Sequence, residues 1–384
     1  MPKLENQSEG EFHDTKPDFL IKIANLFDKV KLFFYILRKG RHLDRPFYAH
    51  YQITRRCNFR CGSCDTWRDK KATRGMPLED MREAAMAFRK IGVKCVALTG
   101  GEPLLRTDIV DIVRIFKSAG LIVRLQTNGY LLSNSLIKKL FRAGVADIYI
   151  SLDSLDQETF NEINGLDRAD AFKKVLSVIK QVAQTAKRFG SGVHLTAVLR
   201  KSNLDEIDAL HDFAIKQGVL IGIYGMEIPP SDSQLNIRSS DASMAHSDED
   251  RKILAEVFGR LSTLSGNGLA ALSTSEKLMD DYRSYFASPQ ADMHWDCNAG
   301  RYYFEMLPDG TIGVCNATSP IEGLTFRNLE DFYSNPERES IFREKRQSCD
   351  GCICTRQLEY LVDDRLDLFN KARIFMGALF NRTP

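Results

Sequence analysis

Between residues 48 and 226, short runs rich in Val, Ile, Leu and Tyr alternate with amphipathic runs, and this alternation constrains the fold more than any other feature. The first kind, at 48–54, 94–99, 122–126, 147–152, 194–199 and 220–224, reads as strands. The second kind, at 78–91, 108–119, 134–143, 169–189 and 204–217, has helical apolar spacing: Ile109, Ile112, Val113 and Phe116 fall on one face. Gly92, Gly120, Gly144, Gly190 and Gly218 stand where these helices should stop. Strand–helix alternation implies parallel strands joined by right-handed crossovers. Six units make an incomplete TIM-like (β/α)6 barrel of the α/β class, with function expected at the carboxyl ends of its strands.

Charge and hydropathy narrow the partners. Lys and Arg total 53 against 51 Asp and Glu, a net charge of +2. No basic excess is available for counterion release, so no nucleic-acid partner is expected. The first apolar run begins at Phe19, after a polar start, and charges interrupt it. No stretch reaches the roughly 18 apolar residues of a membrane span, and no secretory leader is evident. A cytoplasmic location is the expectation.

Nine cysteines are many for a reducing compartment, where disulfides are rare. Three fall at 57–64 and five at 297–354, with Cys95 alone inside an apolar strand as a buried structural thiol. Clustering at short spacing indicates metal or cluster ligation. Cys57, Cys61 and Cys64 follow the first strand, so one loop can wrap three corners of a cubic cluster and leave the fourth iron open. A structural zinc or a four-cysteine electron-transfer cluster needs a fourth ligand, and no cysteine occurs between Cys64 and Cys95.

The order of motifs resembles the radical S-adenosylmethionine (SAM) superfamily over about residues 48–226. Cys57-Asn-Phe-Arg-Cys61-Gly-Ser-Cys64 matches its cluster loop. Gly100-Gly101-Glu102-Pro103 follows the second strand, as the family's SAM-methionine motif does. The resemblance implies a 4Fe–4S cluster whose open iron takes the amino and carboxylate groups of SAM. It places Asn128, Ser151 and Asp153, at the ends of the third and fourth strands, near the SAM ribose and carboxylate. Leu199-Arg200 is a weaker pointer to adenine, Arg200 being expected at the surface. The chain departs from the family at Ser63, where an aromatic residue is usual, so adenine contact falls to the backbone or to Trp67.

Cys297, Cys315, Cys349 and Cys352, around a Pro308-Asp309-Gly310 hairpin turn, resemble the family's auxiliary-cluster extension (SPASM, or its shorter twitch form). The resemblance implies a second 4Fe–4S cluster with those four ligands and Cys354 as alternative. Zinc suits the same Cys-x-x-Cys pairs. Such a cluster near the substrate would accept an electron from it. The expected organisation is an N-terminal helical segment at 1–47, the barrel at 48–228, a linker and helical segment at 229–290, a small α+β auxiliary-cluster domain at 291–360 and an amphipathic helix at 361–384.

The implied chemistry is reductive cleavage of SAM to a 5′-deoxyadenosyl radical that abstracts hydrogen from a substrate C–H, with flavodoxin or ferredoxin as reductant. The expected substrate is a peptide or small metabolite, oxidatively tailored. Two alternatives remain: a lipid or isoprenoid substrate at a membrane surface, and a non-catalytic iron–sulfur barrel. The lipid reading rests on the apolar runs 19–37 and 366–380, the first beside Arg38, Lys39 and Arg41; both otherwise pack on the barrel. Tyr224, Glu227, His294 and Asp296 are acid–base candidates without a distinguishing spacing.

Overall fold

The computed structural model describes residues 18–39, 43–68, 75–168, 170–226, 246–266, 271–288, 297–316, 318–347 and 353. Its strands are β1 (Tyr48–Thr54), β2 (Cys95–Gly100), β3 (Ile122–Thr127), β4 (Val145–Ser151), β5 (Gly192–Leu199), β6 (Leu220–Gly225), β7 (Tyr303–Met306) and β8 (Ile312–Gly313). They form one unclosed sheet in the order β6-β5-β4-β3-β2-β1-β7-β8. All neighbours from β6 to β7 run parallel, and β8 turns back antiparallel. This is the partial barrel expected from the sequence. The helices α2 (Leu78–Ile91), α3 (Ile109–Ser118), α4 (Asn134–Ala143), α6 (Asp170–Phe189) and α7 (Ile207–Gln217) connect its strands. Gly92, Gly144 and Gly218 cap α2, α4 and α7 in the left-handed conformation.

The pleat sorts each strand into two faces. Tyr51 of β1 packs on Phe116 of α3, and Phe304 of β7 on Phe88 of α2, so these residues face the helical layer. Their neighbours Tyr48, His50 and Gln52 on β1, and Tyr303 and Glu305 on β7, therefore face inward, in register with Cys95 and Ala97 of β2 and Arg124 of β3. The outer side of the sheet is the main apolar core, and the inner face carries polar groups.

The amino end of the barrel is closed by α1 (Asp18–Lys39). Asn25 donates to the Phe189 carbonyl and to Ser191 Oγ. Lys29, buried, pairs with Asp147 at 2.8 Å, and Arg124 reaches the other oxygen at 3.1 Å. Phe19, Phe27 and Phe34 on the same helix stay exposed. One face of α1 thus packs on the barrel, and no helix among the described residues is long and apolar enough to cross a membrane. The second apolar run, 366–380, lies outside the described residues.

Downstream, α8 (Asp248–Gly266) and α9 (Glu276–Ala287) form a helical pair in which Phe258 stacks on Tyr282 and Phe286. The expected hairpin is β7–β8, with Gly310 at φ 89° and Asp309 accepting from Thr311. Its first strand hydrogen-bonds to β1, so the C-terminal segment extends the barrel sheet. The helices α10 (Leu329–Ser334) and α11 (Arg338–Gln347) follow.

Candidate functional site

The loop after β1 brings Cys57, Cys61 and Cys64 together, all half-buried. A short helix that the sequence reading passed over, α5 (Gln157–Asn164), supports this loop from below. Asp156 caps its start, accepting from the Glu158 and Thr159 amides. At its end the Asn164 carbonyl accepts from the Arg60 amide at 3.0 Å, and Asn164 Oδ1 lies 3.4 Å from Cys61 Sγ. Gly165 follows in the left-handed region, where a Cβ would stand 2.2 Å from the Arg60 carbonyl oxygen. The Asp156 cap and Gly165 stop were the signals available in the sequence. Trp67 donates its indole N–H to the Cys61 carbonyl at 2.9 Å, between the guanidinium groups of Arg60 and Arg68.

The turn after β2 threads against the same loop. Gly101 N donates to the Thr54 carbonyl and Glu102 N to the Arg56 carbonyl, each at 2.8 Å. Gly100 has φ 125°, and a Cβ on Gly101 would meet the Arg56 carbonyl oxygen at 2.2 Å. Only glycine permits that approach. Gly101→Ala is expected to weaken SAM binding at least tenfold, about 1.4 kcal/mol, with cluster absorption retained. Equilibrium binding to the reconstituted protein checks this, and an unchanged affinity would show the turn to be mere scaffold.

Glu102 is fully buried, accepting from Leu104 N (2.9 Å), Thr127 Oγ1 (2.7 Å) and Asn128 N (2.8 Å). It therefore ties the turn to the end of β3. Burial pushes its carboxyl up to about 7, against these hydrogen bonds. Asn128 donates to Asn58 Oδ1 beside Cys57, at 2.8 Å. Asp153 accepts from Val198 N at 2.7 Å and pairs with Arg200 at 3.3 Å; burial raises its carboxyl, partly offset by Arg200. Ser151 stands exposed at the end of β4. Arg200 is buried, contrary to the surface position expected, because its guanidinium spans Asp153 and Ser63 Oγ (3.2 Å). The hydroxyl at the position where an aromatic is usual thus has a specific partner.

These residues suit an iron–sulfur cluster. Burial pushes the Cys57 thiol up to about 11 and the Cys61 thiol higher still, and each is raised further by its cysteine neighbours. Thiolates persist in such a place only against the positive charge of bound metal. Among the described residues no three His, Cys, Asp or Glu side chains close on a single ion; a cubic cluster is wider than an ion. Asn58 keeps a buried Nδ2 with no partner among the described residues, a donor next to the ligands.

Cys297 and Cys315 flank the hairpin. Cys297 Sγ lies 3.8 Å from the Tyr303 hydroxyl, Cys315 follows the Glu305–Gly313 pair by two residues, and Tyr303 pairs with Tyr48 at the start of β1. The two cysteines therefore sit at the amino end of the sheet, and the cluster loop at the other end. Along the 7 residues of β1 the separation is roughly 20 Å. Cys349, Cys352 and Cys354 lie outside the described residues, as do Glu227, His294 and Asp296.

Sequence reasoning also passed over Glu305. It is buried on the inner face, with its Oε1 accepting from Gln52 Nε2 at 2.8 Å, and burial pushes its carboxyl up to about 8. The one available signal was a carboxylate inside the apolar run Tyr303-Phe-Glu-Met306. Folded-state values of about 7 for Glu102 and about 8 for Glu305 exceed the usual 4.5. The folded chain therefore holds protons that the unfolded chain has lost between those pH values, and stability falls as pH rises through that window. Urea midpoints of the apoprotein are expected to be higher at pH 5.5 than at 8.5, with Glu305→Gln flattening the slope. A pH-independent midpoint would show both carboxyls to be well solvated.

An incomplete parallel barrel with a three-cysteine loop at the carboxyl end of its first strand and a glycine turn at the end of its second defines a class of cluster-binding barrel. Residues 51–214 match the sequence model of the radical SAM superfamily. A probable GTP 3′,8-cyclase of Sulfurisphaera tokodaii is 36% identical over 168 residues, 44% of this chain and 51% of that relative. The GTP 3′,8-cyclase of Campylobacter fetus is 35% identical over 188 residues, 47% and 55% of the two chains. The chain thus spans about half the length of the curated relatives it matches. Among solved structures, Streptococcus suis SuiB bound to its precursor peptide is similar at TM-score 0.60 and 18% identity, covering 94% of this chain and 84% of that one. A second, anSMEcpe with bound AdoMet, has TM-score 0.56 and 16% identity over 88% and 99%. At such identities these two speak to fold alone.

Proposed function

We propose that this chain cleaves SAM at a 4Fe–4S cluster held by Cys57, Cys61 and Cys64 and directs the resulting 5′-deoxyadenosyl radical at a small polar metabolite inside the barrel. The observation that carries the reading is the packing of the Gly100–Pro103 turn against the cysteine loop, fixed by the Thr54 and Arg56 carbonyls. When bound, the cluster and SAM supply the one-electron chemistry. The protein's part is placement and exclusion. Glu102 locks the turn to the end of β3 by accepting from Thr127 Oγ1 and Asn128 N, and braces the turn itself by accepting from Leu104 N. Asn128 ties the end of β3 to the loop, and Arg200 ties the end of β5 to it through Ser63. Ser151 is left exposed on the rim, where a ligand hydroxyl or carboxylate meets it. Cys297, whose sulfur lies 3.8 Å from the Tyr303 hydroxyl, and Cys315 suit a structural or electron-handling centre at the other end of the inner face.

A small polar substrate is supported by the polar inner face, on which Gln52, Glu305, Arg124 and Asp147 all lie. The relatives at 33–37% identity carry the name GTP 3′,8-cyclase, which makes GTP the first compound to test. Anaerobic reconstituted protein with dithionite and SAM should form 5′-deoxyadenosine, and GTP should raise that rate and be consumed. No stimulation by GTP would remove it as substrate while leaving the radical chemistry standing.

A further inference from the structure

We propose that Gln52 and Glu305 form the acceptor end of the substrate site, recognising a donor-rich nitrogen group: an amidine, a guanidine or the amino-oxo edge of a guanine. This rests on the reading that the barrel's inner face holds a polar substrate. Both residues face inward and both are buried, Gln52 completely. Gln52 pairs with Thr99, one residue before Gly100, so the pair lies directly beneath the SAM turn. The two side chains come from segments 253 residues apart, joined at 2.8 Å. Glu305 enters only because β7 runs parallel to β1.

The chemistry of the pair is incomplete as it stands. Gln52 spends its N–H on Glu305, and its Oε1 is buried with no hydrogen-bond partner among the described residues. A buried amide oxygen left unpaired costs about 1–3 kcal/mol, and a buried carboxylate costs more. When a cationic donor binds and Glu305 gives up to solvent the proton that burial holds on it, Gln52 Oε1 and the second carboxylate oxygen become two acceptors for N–H groups of one planar ligand. A cationic or strongly polar donor also brings the compensation that burial withholds from Glu305. Arg55, whose charge acts on Glu305, lies at the loop side of the pair. A purely structural strap between β1 and β7 would need neither the unpaired oxygen nor an ionisable group.

The test is calorimetric titration of anaerobically reconstituted, SAM-loaded protein with methylguanidinium and, separately, with GTP, for wild type, Glu305→Gln and Gln52→Leu. Circular dichroism and cluster absorption check that each variant is folded and loaded. Wild-type binding of either probe, weakened at least tenfold by both variants, supports the pair. Binding that either folded variant leaves unchanged overturns it, as does failure of the wild type to bind both probes. Binding of methylguanidinium without GTP keeps the pair and dismisses GTP. Absence of 5′-deoxyadenosine formation in a parallel assay counts against the radical reading alone.

Discussion

Cys61→Ala is expected to abolish SAM cleavage, lowering 5′-deoxyadenosine formation by three orders of magnitude or more, about 4 kcal/mol of barrier. Cys61 is the middle of the three proposed ligands, with its sulfur 3.4 Å from Asn164 Oδ1 and its backbone carbonyl accepting from Trp67. Removing its sulfur leaves two thiols for a cluster that needs three protein corners. The broad visible absorption of the reconstituted protein should fall with it. Cys95→Ala makes the contrast. That thiol is buried on the inner face at the far end of β2, where burial pushes it up to about 11. Its loss should leave cluster content and SAM cleavage intact. Equal damage from both substitutions would mean that cysteine loss merely unfolds the chain.

Lys29→Met is expected to cost the fold near the lower part of the about 3–5 kcal/mol seen when a buried ion pair loses one partner. Asp147 is fully buried. Burial alone would raise its carboxyl, but Lys29 and Arg124 together outweigh this and hold it below the usual range. Without Lys29, Asp147 keeps the partly exposed Arg124 at 3.1 Å as its ion-pair partner among the described residues. The melting temperature should drop by about 4–5 °C. Lys31→Met, an exposed lysine two residues along the same helix, should change stability by less than about 0.5 kcal/mol. Because the Asp147 carboxyl is depressed, its stabilisation is complete above the usual carboxylate range and is lost as pH falls below it. The wild-type advantage over Lys29→Met should therefore shrink in acid. A variant melting with the wild type would show that α1 does not close the barrel floor.

Much of the barrel was legible because each strand–helix unit carries its own punctuation. Tyr48–Thr54, Leu78–Ile91 and Asn134–Ala143 stand where the periodicity and the following glycines put them. The ends of other elements differ by one to three residues, as at β4 and α7, where strand and helix shade into turns. The cysteine loop and the glycine turn were legible because glycine and cysteine have few other uses at such spacing. What the sequence did not show depends on distant pairing. Glu305 becomes an inner-face group only through the β1–β7 register. Arg200 is buried only because Ser63 and Asp153 meet it. The remoteness of Cys297 and Cys315 from the cluster loop follows from the parallel direction of β7, which no local pattern announces. The exposed aromatic residues of α1 drew attention to the membrane, yet the opposite face of that helix carries the ion pair that seats it on the barrel.

In the proposed site, Cys57, Cys61, Cys64 and the Gly100–Pro103 turn act together to cleave SAM. The most direct measurement is 5′-deoxyadenosine and methionine formed from SAM by the anaerobically reconstituted, dithionite-reduced chain. The result expected is both products in equal amounts from the wild type and neither from Cys61→Ala. Cluster-loaded wild type that leaves SAM intact would rule out a SAM-cleaving site at this loop and turn.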